Sequence, residues 1–168
     1  MIIIMECVIY INKSIIGGDL QSKHGLGSYF EKQKGMIVFS KDMEIGIGKI
    51  DSQHKELINR INAVSSMGMK SFTKEETQKT LDMLSSYVMK HFADEENLQK
   101  QSGYPKFAQH KELHSFYLKE LQGLKREFAA NGTSPQFTMD LNKSIINWIV
   151  KHIKSADVEF SKFYLSRS

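Results

Sequence analysis

The sequence predicts an all-α protein, an up-down-up-down antiparallel four-helix bundle with a short irregular N-terminal extension. Three observations carry that expectation. From residue 50 onward, apolar residues recur at the three- and four-residue steps of a helix in four separate stretches. Turn-forming residues punctuate the chain between those stretches. The connections are short, which makes consecutive long helices antiparallel neighbours. A length of 168 residues with 40% hydrophobic content gives one domain with a sizeable core.

Residues 1 to 35 stand apart. They carry β-branched residues at Ile2 to Ile4 and Val8 to Ile11, then Gly17, Gly18, Gly25 and Gly27, and no sustained helical period. This stretch is expected to be an irregular, weakly ordered extension, with Met36 the natural first residue of a bundle domain over 36–168. The first helix opens at Asp51, a good N-cap, and ends near Gly68. The second opens at Thr73, where Glu76 three residues on completes a capping box, and ends at Ser102 and Gly103. The third starts at Tyr104 and Pro105 and stops before Asn131 and Gly132. The fourth starts at Ser134 and Pro135 and runs to about Phe163. Three of the four are long, at about 25 residues or nearly 40 Å.

Composition narrows the function classes. No stretch approaches the roughly 18 uncharged apolar residues of a membrane span, and the first residues lack the pattern of a secretory signal. The expectation is a cytoplasmic protein with no membrane partner. The single cysteine, Cys7, forms no internal disulfide, and thiolate-held zinc or iron–sulfur sites are ruled out. The net charge of +4, from 23 basic and 19 acidic residues, is interspersed along the helices, so no nucleic acid partner is expected. The nine methionines are spread out and read as packing.

Five of the six histidines occupy positions where the helical stripes call for a buried apolar residue. His54 lies in Ile50, His54, Leu57, Ile61, Val64. His91 and Glu95 lie in Leu81, Leu84, Val88, His91, Glu95, Leu98. His110 and His114 lie in Phe107, His110, His114, Tyr117, Leu121, and His152 continues Leu141, Ile145, Trp148, with Asp157 after it. A lone histidine on an apolar face is more often an ordinary core residue than a ligand. Seven such groups together would each cost several kcal/mol if unpaired, about 2–7 for a neutral polar group, and a metal centre neutralises all of them.

Residues four apart on a helix point within about 40° of each other, so His91 with Glu95, and His110 with His114, are ligand pairs by geometry. His152 and Asp157 are five apart, about 140° around an ideal helix, which serves one ion poorly unless Asp157 bridges a second or the helix is locally distorted. Glu159, seven past His152, is the alternative that spacing favours. Glu96 turns about 100° from Glu95 and reads as solvent-facing or supporting rather than a ligand. His24 sits in no apolar period and receives no role, while Trp148, Phe107 and Tyr117 read as core. Five imidazoles and two carboxylates exceed one tetrahedral zinc and suit two ions. Without thiolate the set points to iron, ahead of manganese, cobalt or zinc.

The segments GIGKIDSQH (Gly46 to His54), HFADEE (His91 to Glu96), YPKFAQHKELH (Tyr104 to His114) and HIKSAD (His152 to Asp157) resemble the hemerythrin family in its bacterial single-domain form. The resemblance covers about 36 to 165, with all seven ligand positions filled at the family's spacings. Myohemerythrin is a standard example of the up-down-up-down bundle. The resemblance implies that His110, His114 and His152 hold one non-haem iron, that His54 and His91 hold the other, and that Glu95 and Asp157 bridge them beside an oxo or hydroxo group. It selects Asp157 over Glu159. It implies reversible binding of O2 for storage, transport or scavenging, without enzymatic turnover and with no catalytic residue. Two departures are visible: Phe39 stands where bacterial members usually carry tryptophan, and Gln99 where methionine is common. The competing functions are an oxygen- or redox-sensing signalling domain and a diiron oxidase or nitric oxide-handling enzyme. The expected state is a monomer, served by an unidentified redox partner.

Overall fold

The computed structural model describes residues 37–67, 73–132, 134, 137 and 140–167. The expected extension, 1–35, lies outside them. A segment containing a 3-10 turn, Lys41–Met43, leads into α1 (Gly48–Met67), followed by α2 (Lys74–Ser102) and α3 (Phe107–Asn131). A fourth rod is built from a π-helical turn Leu141–Ile146, α4 (Asn147–His152), a second π-helical turn Ile153–Asp157, and α5 (Val158–Leu165). The rods pack α1 on α2, α2 on α3, and the fourth against α3 and α1, which closes the four-helix bundle. No described helix is long and apolar enough to cross a membrane.

The periodic stripes become the core. Ile50, Leu57, Ile61 and Val64 of α1, Leu81, Leu84 and Val88 of α2, Tyr117, Leu121, Leu124 and Phe128 of α3, and Leu141, Ile145, Ile149 and Phe160 of the fourth rod are all buried. Three ends follow the sequence chemistry closely. Thr73 and Glu76 form the reciprocal capping box of α2, and Gly103 ends it in the left-handed conformation at φ 68. Ser134 Oγ accepts the Phe137 N–H at 3.0 Å, capping the entry to the fourth rod.

Two starts differ from expectation. Asp51 is not the cap of α1, which begins three residues earlier. Its carboxylate instead accepts the backbone N–H groups of Ile45 at 2.8 Å and Gly46 at 3.0 Å, folding the incoming segment over the first turn. Gly46 permits the reversal with φ 79, and a Cβ there would come within 3.2 Å of the Leu165 side chain. Asn62 secures the same segment, exchanging hydrogen bonds of 2.9 and 2.8 Å with the backbone of Ile37. The third helix starts at Phe107 rather than Tyr104, because Pro105 occupies a turn closed by the Phe107 N–H on the Tyr104 carbonyl at 3.2 Å.

Candidate metal centre

All seven donors named from the sequence are buried at one level of the bundle. One set gathers Glu95 from α2, His110 and His114 from α3, and His152 and Asp157 from the fourth rod; a second gathers His54 of α1, His91 of α2 and Asp157. Asp157 therefore belongs to both sets, while Glu95 is gathered with the first. Glu159 is not at the site: it is half-exposed and pairs with Lys106 on the surface.

The fourth rod explains how a five-residue spacing works. Within the turn Ile153–Asp157 the Val158 N–H reaches back five residues to the Ile153 carbonyl, so the turn holds one residue more than an α-turn. Residues five apart then lie side by side, and His152 Nε2 sits 2.9 Å from Asp157 Oδ1. Of the two arrangements open to this pair from the sequence, local distortion is present.

Three imidazoles converge. The Nε2 atoms of His110, His114 and His152 lie 3.0–3.1 Å from one another. Around them stand Asp157 Oδ1, 3.3 Å from His110, and Glu95, whose oxygens lie 3.5 Å from His110 and 3.3 Å from His114. On the other side, His54 Nε2 is 3.1 Å from Asp157 Oδ2. Most of these approaches are not hydrogen bonds. Of nine buried side-chain polar atoms without a hydrogen-bond partner among the described residues, six belong to this site: both nitrogens of His54, His91 Nε2, Glu95 Oε2, and both oxygens of Asp157. Buried polar atoms left unmatched are rare in proteins and call for an explanation such as a bound ion.

Hydrogen bonds outside the donor set fix which nitrogen faces inward. Gln53 Nε2 donates to Asp94 at 2.7 Å, and Asp94 is paired with Lys49 at 3.0 Å. The Gln53 carbonyl must then accept from His91 Nδ1, 3.2 Å away, which leaves His91 Nε2 with its lone pair. Glu96 likewise accepts from His114 Nδ1 at 3.1 Å, which turns His114 Nε2 inward and occupies the Glu96 carboxylate outside the cluster. Two rings are held by stacking: Phe92 lies on His114 with centroids 3.8 Å apart, and Trp148 on His152 at 4.4 Å.

Electrostatics sort the same groups. Burial lowers His91 to about 3 and His152 to about 4, so both rings stay neutral and available as donors. Burial and mutual repulsion push Glu95 and Asp157 upward, but the imidazoles against them prevail and hold both carboxyls below their usual range. Burial also pulls His110 down, yet the two carboxylates outweigh it and raise the ring to about 10. In the metal-free chain a proton on His110 thus supplies the positive charge the two carboxylates demand.

The supporting residues Gln53 and Asp94 have no role in the sequence reading, and Gln99 enters it only as a departure from the family pattern. Gln99 carried a usable signal, since it falls on the stripe of His91 and Glu95 at the next four-residue step. Gln53 and Asp94 lie beside the stripes, where polar residues are expected anyway. Phe39 packs partly buried against the core, with the Lys55 ammonium 5.2 Å above its ring. A surface groove lined by residues including Arg60, Lys74, Tyr87 and Lys90 has none of the seven donors in its walls.

A bundle whose core carries a dense set of imidazole and carboxylate groups, without thiolate and with six of their polar atoms unpartnered among the described residues, falls in the class of four-helix proteins with an internal site of cation-binding composition. The comparisons narrow the class. Residues 45–163 match the hemerythrin HHE cation binding domain. Bacteriohemerythrin of Methylococcus capsulatus is 31% identical over 114 residues, 66% of this chain and 82% of that protein. Bacteriohemerythrin of Stenotrophomonas maltophilia is 29% identical over 126 residues, 75% of this chain and 80% of the relative. Myohemerythrin of Theromyzon tessulatum is 27% identical over 122 residues, covering 73% and 88%. The chain belongs to the hemerythrin family.

Proposed function

We propose that the domain formed by residues 36–168 binds oxygen reversibly at a non-haem diiron centre. His110, His114 and His152 hold one ion, His54 and His91 the other, and Asp157 and Glu95 lie between them. When bound, the iron pair supplies the electrons that a reversible oxygen adduct needs. The observation that carries the reading is the division of the seven buried imidazole and carboxylate groups into two sets joined by Asp157.

The number and type of donors support iron over zinc. The first set brings together five residues, more than the four ligands of a tetrahedral zinc. Imidazole and carboxylate without thiolate suit iron. The chemistry of the donors supports binding over turnover. Ferritin-like diiron sites rely on glutamates with a three-residue Glu-to-His step, whereas five of the seven donors here are imidazoles. The protein's own part is to keep His91 and His152 neutral, to orient His91 and His114 through Gln53 and Glu96, and to stack Phe92 and Trp148 on His114 and His152.

Metal analysis together with optical spectra tests the proposal. Iron-loaded protein is expected to hold two irons per chain. After anaerobic reduction it should gain a visible charge-transfer band on exposure to oxygen and lose it when oxygen is removed. A band that never forms, or that oxygen removal does not reverse, refutes reversible binding. Sustained oxygen consumption with a reductant would move the assignment to an oxidase.

A further inference from the structure

Gln99 is completely buried on α2, one turn beyond Glu95. Its amide nitrogen donates to Glu95 Oε1 at 3.1 Å, and its carbonyl oxygen is buried with no partner among the described residues. Geometry fixes this orientation: the opposite flip would set the amide carbonyl against an oxygen of the Glu95 carboxyl, two acceptors face to face. Packing alone does not account for glutamine here: an apolar side chain of similar volume would fill the space without orphaning a carbonyl, and what it would lose is the donor to Glu95 Oε1. The one interaction that the amide makes is with a donor of the candidate metal centre.

We propose that Gln99 is a positioning residue that tunes the redox balance of the iron pair by withdrawing charge from Glu95, an inference that rests on the diiron reading above. A hydrogen bond to a ligating carboxylate lowers its basicity, so Glu95 donates less to the ions it holds. Weaker donation favours the state of lower ionic charge, the reduced one. No proton or bond is transferred; the amide acts by its dipole and by holding Oε1 in place. The consequence is a reduced centre that resists oxidation in air better than it would beside an apolar residue.

The test compares the iron-loaded full chain with Gln99→Met and Gln99→Leu, which remove the donor with different shapes. Midpoint potentials come from mediated anaerobic titration, iron content from elemental analysis, and folding from melting of the metal-free forms. Both variants are expected to keep two irons per chain and to shift the equilibrium about tenfold toward the oxidised state, about 59 mV for a one-electron couple. Their metal-free forms lose the donor to the buried Glu95 Oε1 and are expected to melt below the wild type while still folding, so the potential is the readout that a merely structural glutamine would not move. Two irons retained with an unmoved potential in whichever variant folds overturns the role of Gln99 and leaves the diiron reading intact. Wild-type chain that takes up no stoichiometric iron overturns both.

Discussion

Replacing His54 by leucine should move the stability of the metal-free and metal-loaded protein in opposite directions. His54 is fully buried, and neither ring nitrogen has a hydrogen-bond partner among the described residues, although Nε2 approaches Asp157 Oδ2 to 3.1 Å. An orphaned buried polar group costs about 1–3 kcal/mol, so two orphans at the lower limit cost about 2 kcal/mol in the metal-free chain. Leucine has nearly the same volume, and such a swap costs less than about 1.5 kcal/mol in strain. The metal-free variant should therefore gain about 1 kcal/mol, which at this size raises its melting temperature by about 4 °C. In the loaded protein the sign reverses. A site saturated at a thousand times its dissociation constant stabilises the fold by about 4 kcal/mol. Losing one ligand weakens affinity at least as much as losing a supporting residue, about 10–100-fold. Calorimetric melting with chelator and with excess ferrous iron under anaerobic conditions reads both arms. A lower melting temperature in the metal-free variant would mean that His54 already has its polar needs met without a cation. Its unpartnered nitrogens would then no longer point to a bound ion.

Other outcomes follow from the same geometry. Asp157→Asn should abolish binding of the second ion, since Asp157 is shared by both donor sets, whereas Glu159→Gln should leave two metals bound; elemental analysis distinguishes them. Glu96→Gln should weaken metal affinity about 10–100-fold in a competition assay while changing metal-free stability little, because Glu96 only orients His114. In the metal-free protein, His91 near 3 and His152 near 4 stay neutral while their unfolded counterparts, near 6.5, take up protons, so these two make stability fall as pH drops below 6.5. His110, raised to about 10, works the other way: its contribution is complete below 6.5 and is lost as pH rises toward 10. Urea midpoints should therefore peak near pH 6.5, and a midpoint that climbs steadily from pH 5 to 9 contradicts this balance. Thr73→Ala breaks the capping box of α2 and should lower stability by about 1 kcal/mol in urea unfolding.

The sequence was legible where a single helix decides the outcome. A stripe such as Leu81, Leu84, Val88, His91 and Glu95 states its buried face through the 3.6-residue period alone, and the Thr73 and Gly103 ends depend on local backbone chemistry. Legibility fails where a tertiary contact competes with a local preference. Asp51 is an excellent cap by residue type, yet two backbone N–H groups from the incoming segment claim its carboxylate, and the helix extends past it. The Gln53–Asp94–Lys49 relay joins two helices through residues that look like an ordinary solvated face.

The His152 and Asp157 pair shows why composition and periodicity reach a limit in this fold. On an ideal helix the spacing counts against a shared ion and favours Glu159, which the structure leaves half-exposed beside Lys106. The extra residue in the turn Ile153–Asp157 reverses that preference by bringing the carboxylate round to the histidine. A π-turn gives up regular hydrogen bonding and appears mostly where a site requires it, so no local propensity in Ile-Lys-Ser-Ala-Asp announces it. The buried surroundings impose it instead. Ile149, Ile153 and Phe160 are each fully enclosed and fix the helix on either side, so the added residue is absorbed between them. The donor that joins the two sets thus depends on an irregularity held in place by packing, and core substitutions at Ile153 or Phe160 should disturb metal binding before they unfold the bundle.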